Sequence, residues 1–424
     1  MRQPRLYLVF LTGSIFMVSC KKNDDTKSPS ITITSPLQLS THDVFDVITV
    51  KADLSDDKNI KSADVRILDP SGNNAVPAWH IEINSASYHL EHSFNLNDIH
   101  LPNGQYSIRV EAYDGTNRKT AFREINVNEI PRALKRIMVT RRNGSMVYLD
   151  SLGGSQINNF FSTPGDYSGA AVSSWWQQIY LQGSSASSLT AYQVNDMYPI
   201  WNYAAQPNGS LPFFNRLLVV PASTLVYSSD GYGYLKGYNK AGTMSENVLS
   251  PGGRLPWNTV ECGPYIIIEH RDPISGNHLL NVHYKGSGSV LHGQPSSIQW
   301  EKLEVRGTDQ IIAAGNIGTQ GELRVYAVST NVIFEPVNIP AGQVYDMVKI
   351  DDESYLISHA SGILRYTYSN SSLVNITSGN MAQCMAYDQT LGLVVTGEGN
   401  MLNAYNPITG ATSFSYPAAD SIQD

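Results

Sequence analysis

The last 290 or so residues repeat a two-part pattern. A short apolar run is followed, 11 to 17 residues later, by an aliphatic-x-x-aromatic tetrad. The runs centre on Ile137, Ile179, Leu225, Ile266, Ile311, Tyr355 and Leu393, spaced 38 to 46 residues apart. The tetrads end at Tyr148, Tyr192, Tyr238, His283, Tyr326, Tyr366 and Tyr405. Short strands recurring at this period predict a β-propeller with about four strands per blade. Seven blades account for residues 129–424. Only Ala418 to Asp424 follow the last outer strand, so any strand that closes the ring from this end is very short.

Within a repeat the order reads inner strand, apolar run, tyrosine strand, outer strand. Gly169–Val172, Asn258–Cys262, Leu303–Arg306, Met347–Ile350 and Gln383–Ala386 read as inner strands. Asn143-Gly144, Asp230-Gly231, Ser275-Gly276-Asn277 and Ser361-Gly362 read as the turns between second and third strands. Leu402-Asn403-Ala404-Tyr405-Asn406-Pro407-Ile408-Thr409-Gly410 resembles the strand-and-turn segment of quinoprotein-type and YVTN-type propeller repeats. Earlier repeats keep the aliphatic-x-x-aromatic core without that tail. The resemblance therefore implies a blade type and no quinone chemistry.

Residues 29–128 form a separate all-β block. Ile31–Thr34, Val47–Ala52, Ala63–Ile67 and Tyr106–Ala112 alternate apolar and polar residues, as strands with one buried face do. Pro70-Ser71-Gly72-Asn73 and Leu101-Pro102-Asn103-Gly104 are turn signals. The segments Ala52–Ile60 and Leu101–Gly115 resemble those of bacterial Ig-like and cadherin-like modules, implying an Ig-like β-sandwich that serves as a spacer. Asp53, Asp56, Asp57 and Asp114 are oxygen donors that would suit Ca²⁺ if they converged. They are equally ordinary turn formers.

The N-terminus reads as a targeting segment. Arg2 and Arg5 precede the apolar stretch Leu6–Val18, which is too short for a permanent membrane span. It ends in Val18-Ser19-Cys20, which resembles a bacterial lipoprotein signal. That resemblance implies removal of residues 1–19 and lipidation of Cys20. Residues 20–28 then form a disordered tether. Lys21-Lys22-Asn23-Asp24-Asp25 is similar to the export tag of Bacteroidota-type surface lipoproteins, implying the outer face of the outer membrane. Loss of Arg2 and Arg5 takes the net charge from −8 to −10. That balance argues against nucleic acid and against an anionic membrane as electrostatic partners. Cys262 and Cys384 fall in inner strands of non-adjacent repeats, so free thiols are expected.

A binding site in a propeller lies where loops converge on the channel mouth. Four consecutive repeats place an aromatic beside an acid or amide there: Phe214-Asn215, Trp257-Asn258, Trp300-Glu301 and Tyr345-Asp346. Rings beside polar acceptors suit a glycan or peptide ligand; the competing reading is packing between blades. Asp166-Tyr167 holds the corresponding place one repeat earlier. Catalytic motifs are absent: no nucleophile elbow, metalloprotease helix or phosphate loop. His270-Arg271-Asp272 reads as the start of a strand-joining loop, with His270 a candidate general base. The expected function is a lipid-anchored outer-membrane surface protein that binds a glycan, peptide or protein, accessory to uptake or adhesion, without a cofactor. The alternatives are a periplasm-facing scaffold in outer-membrane protein assembly, and a propeller lyase or hydrolase.

Overall fold

A computed structural model describes residues 26–424 except 132, 207, 208, 210, 211, 221–223, 341 and 380. The signal segment, Cys20 and Lys21–Asp25 lie outside the described residues. The chain divides into two compact units, Met1–Pro131 and Arg132–Asp424. Both are built of strands, and among the described residues no helix is long and apolar enough to cross a membrane.

The first unit is organised by one long strand, Val47–Leu68. Its first half pairs with Ser30–Ser35 and its second half with Gly104–Tyr113, while Trp79–Asn95 runs beside both halves. The register slips between Ser55 and Ile60. A bulge of this kind bends a strand. It lets Val50, Ala52 and Leu54 from one half share a single core with Val65, Ile67, Ile108 and Val110. Period-2 alternation supplies that face.

The Asp-rich stretch is therefore the bend of a continuous strand. Its carboxylates are committed separately. Asp53 meets His89 Nδ1 at 2.8 Å, Asp56 accepts from Lys58 N–H at 2.9 Å, and Asp57 pairs with Lys27 at 2.9 Å. Asp114 accepts backbone N–H groups of Thr116 and Asn117, both at 2.6 Å. Among the described residues no group of three or more His, Cys, Asp or Glu gathers as metal ligands. Each of these aspartates has a local partner, as turn and strand residues do.

The second unit contains seven successive antiparallel sheets among the described residues. The first has three strands of its own, Met138–Asn143, Met146–Gly153 and Gln156–Pro164. The other six run inner to outer in chain order. Their inner strands are Gly169–Ser173, Phe214–Val219, Leu255–Cys262, Gln299–Arg306, Val344–Lys349 and Cys384–Asp388. The recurrent apolar runs are second strands and the tyrosine tetrads third strands. These are the most buried positions because sheets cover them on both faces: every residue of Gln178–Gln182 and of Val226–Asp230 is buried. His283 stands where other repeats carry tyrosine and is equally buried.

An apolar cluster joins each sheet to the next. Tyr227 and Leu235 of the third meet Ile266 and Ile268 of the fourth; Ile312 and Leu323 of the fifth meet Met347 and Tyr355 of the sixth. The seventh joins the first through Leu402, Ile422 and Val139. There the end of the chain fills the first sheet's open inner edge. Ile422 bridges Arg141, Thr140 N–H donates to Asp424 O at 2.9 Å, and Gln423 N–H donates to Thr140 O at 2.8 Å. Arg141 adds an ion pair to Asp420 at 2.6 Å. The closing segment is very short, as its length requires.

Candidate binding site at the inner strands

The four repeats with an aromatic–polar pair share a backbone irregularity. Their inner strands slip register between Phe214 and Arg216, Pro256 and Thr259, Trp300 and Lys302, and Val344 and Asp346. The inner strands of the second and seventh sheets pair without a slip. A bulge leaves residues out of the ladder and re-aims them. Here those residues are Asn215, Trp257 with Asn258, Glu301 and Tyr345.

The recurring pair is thus one residue out of step between neighbouring sheets. In the third and fifth the aromatic precedes the bulge and is core: Phe214 is 2% exposed and Trp300 1%. Phe214 packs edge-on against Phe213, ring centroids 4.6 Å apart, and Trp300 packs with Ile298, Leu303 and Ile311. Asn258 is also buried, its amide donating to Glu269 at 2.8 Å and to Trp300 O at 2.6 Å. Packing between sheets buries all three, as the competing reading expects. Trp257 is half-buried, and the guanidinium groups of Arg216 and Arg271 each lie 4.6 Å from its ring centroid. Asp346 accepts from Met385 N–H of the next sheet at 2.8 Å and lies 3.5 Å from Lys302 Nζ.

Glu301 and Tyr345 come together. With Gln299, Asn316, Gly318, Gln343 and Val344 they line a cleft of about 250 Å³ between the fifth and sixth sheets. Glu301 Oε1 accepts from Gln299 Nε2 at 2.8 Å and from Asn316 Nδ2 at 3.4 Å. Asn316 Nδ2 also donates to Val344 O at 2.9 Å, which fixes the wall between the sheets. The cleft offers amides, one carboxylate and one phenol ring. A second cleft of about 240 Å³ includes Asp166 and Tyr167. Asp166 is structural: against the cost of burial, N–H groups of Ser185, Ala186 and Ser187 hold its carboxyl down at about 2.

The polar cluster of the fourth sheet differs from its sequence reading. His270 and Arg271 end the strand Tyr265–Arg271 instead of opening a loop, and only Asp272 is in the turn. His270 is 0% exposed, with Nδ1 2.7 Å from Ser250 Oγ and Nε2 3.4 Å from His283 Nε2. Burial, then His283 and Arg254, push it down to about 3. A ring sealed from solvent meets no substrate, so the general-base assignment fails. Its neighbour Glu269, also 0% exposed, accepts from Arg271 at 2.9 Å, His278 at 3.0 Å, Asn258 at 2.8 Å and Trp300 N–H at 3.2 Å. That carboxylate ties the fourth sheet to the fifth.

Two inner-strand residues were not visible in the sequence pattern. Burial pushes the Glu304 carboxyl up to about 7, with Asp346 adding to the push and Lys302 and Lys349 opposing it. Arg216 follows the bulge at Asn215 and has no ion-pair partner among the described residues. Neither Cys262 nor Cys384 forms a disulfide, and burial pushes their thiols up to about 11 and about 12, which opposes the thiolate form.

No protein-family model matches the chain, and no curated protein sequence matches it. Solved structures do. One of U3-55K superposes with a TM-score of 0.50 at 11% identity, covering 61% of this chain and 84% of that one. One of RRP9 WD40 repeats gives a TM-score of 0.50 at 10% identity, covering 61% and 82%. At such identity the likeness concerns the fold alone. With the period of the sequence and the succession of four-stranded meanders, it identifies the chain as containing a β-propeller.

Proposed function

We propose that this chain is a lipid-anchored outer-membrane protein, exposed at the cell surface, whose propeller binds a glycan, peptide or protein partner. In this reading Cys20 carries the lipid and Lys21–Asp25 direct export. Residues 29–128 form an Ig-like spacer, and residues 129–424 a closed seven-bladed ring. The signal-like N-terminus, the alternating strands of the first unit and the seven sheets with last-to-first contacts support these assignments. The propeller fold supports an interaction platform without naming its partner.

The observation that carries the binding reading is the cleft of Glu301 and Tyr345. It combines an aromatic ring with side-chain amides and a carboxylate, the set that recognises hydroxyl and N–H groups. It contains no nucleophile–base pair. Protease treatment of whole cells tests display: degradation is expected, and full resistance would favour the periplasmic scaffold. A glycan and peptide array tests the cleft. Tyr345→Ala and Glu301→Gln are expected to lose binding, and unchanged binding by both removes the cleft from the proposal.

A further inference from the structure

Among the described residues most cations around the inner strands are paired, and Arg216 is not. Arg271 meets Glu269 at 2.9 Å, Lys302 meets Asp346 at 3.5 Å, Arg306 meets Glu353 at 2.9 Å, and Lys349 meets Asp352 at 2.6 Å. Arg216 has none of these, and its buried Nε has no acceptor. Two more buried donors beside it share that condition: Asn215 Nδ2 and Trp257 Nε1. Asn215 is the bulged neighbour in the chain, and the Arg216 guanidinium rests on the Trp257 ring. A buried donor without an acceptor costs about 1–3 kcal/mol. Arg216 rests on Trp257 and follows Asn215 in the chain, and its guanidinium is a cation without a counter-ion, so this place asks for an anionic acceptor.

We propose that Arg216, with Asn215 and Trp257, receives a carboxylate of the ligand. The proposal rests on reading the inner-strand mouth as the binding site, and it adds the chemistry of what enters. A carboxylate is planar and presents two oxygens to the guanidinium fork. Its single charge also suits the surroundings. Glu301 and Asp424 act on Arg216 through the field without pairing with it, while Arg271 acts in the opposite sense. A dianionic phosphate would meet more repulsion from those two acids. Glu301, whose field reaches Arg216, can accept hydroxyl groups from the same ligand. Burial and Arg271 both lower the proton affinity of Arg216, as expected for a cation that lacks its counter-ion.

The test uses the intact chain, with calorimetric titration and thermal melting. The probes are D-galacturonate, D-galactose, propionate and inorganic phosphate, each at millimolar concentration. Saturable binding of galacturonate, and not of galactose or phosphate, is expected, and Arg216→Gln is expected to abolish it. Binding of galacturonate alone assigns an acidic sugar; binding of propionate as well assigns a simple carboxylate. Arg216→Met, which keeps the contact with Trp257, is expected to melt at or above the wild type without ligand. No carboxylate binding to the wild type, equal binding of phosphate, or undiminished binding by Arg216→Gln overturns the proposal. So does a large loss of stability in Arg216→Met, which would make the arginine structural. Display and the Tyr345 cleft are read in separate assays, so their failure is distinguishable from this one.

Discussion

Arg216 and Arg271 lie at the same distance from the same indole, 4.6 Å from the centroid of Trp257, and differ in everything else. Arg271 is held by Glu269 and donates to Trp300 O, so it fastens the fourth sheet to the fifth. Arg216, on the third sheet's inner strand, fastens nothing by charge. Burying an ion is tolerable when its partner and hydrogen bonds travel with it. By that measure one arginine belongs to the scaffold and the other is held ready for something outside it. Identical residue types on one aromatic ring therefore need not share a role; the carboxylate on the far side decides.

The hardest way to break this contrast is to remove the scaffold's anion. Glu269→Ala leaves Arg271 without its buried counter-charge and His278 without its hydrogen-bond partner, and a loss of about 3–5 kcal/mol is expected in urea unfolding. Arg271→Met should cost less, about 1–3 kcal/mol, because Glu269 keeps His278, Asn258 and the Trp300 N–H as donors. Arg216→Met at the same ring should be neutral or stabilising by up to about 1 kcal/mol. If the two arginine variants lose equal stability, the contrast fails.

The smallest effect expected is a pH dependence at Glu304. Its carboxyl is raised from an ordinary 4.5 to about 7, so the fold keeps a proton that the unfolded chain releases. That contribution is complete below the ordinary value and is lost as pH climbs through about 7. The stability of Glu304→Gln relative to wild type should therefore rise across this window and level off above it, as read by urea midpoints. A flat difference would mean that the inner strands do not penalise the charge.

The parts of the fold legible in sequence were those with a strict spacing rule. Second and third strands such as Val226–Asp230 and Tyr234–Tyr238 are buried between sheets, so their apolar runs and tyrosines recur at the blade period. The inner strands carry weaker signals because four of them are bulged, each at its own position. Phe214-Asn215 and Tyr345-Asp346 look equivalent in sequence, yet the bulge takes Asn215 in one and Tyr345 in the other. Glu301 and Tyr345 are candidates in the sequence; that they share a cleft depends on Asn316, from the fifth sheet's second strand, and on Gln343, from the loop before the sixth sheet. Arg216 was missed because a lone arginine in an alternating strand has no signature. Whether it has a partner is a question about other sheets. His270 misled for a related reason: a polar triplet after an apolar run reads as a loop, while Ser250 and His283 make room for it inside.

The short pairing of Thr140 with Gln423 and Asp424 has a kinetic consequence. It joins positions nearly the whole length of the second unit apart, and contacts of such sequence separation form slowly. The first sheet of the second unit is therefore the last of that unit to be finished, its inner edge exposed until Gln423 and Asp424 pair with it. An exposed edge strand is a template for pairing with another chain. During folding this interval is where misassembly between copies would begin, and where a chaperone that masks strand edges would matter most.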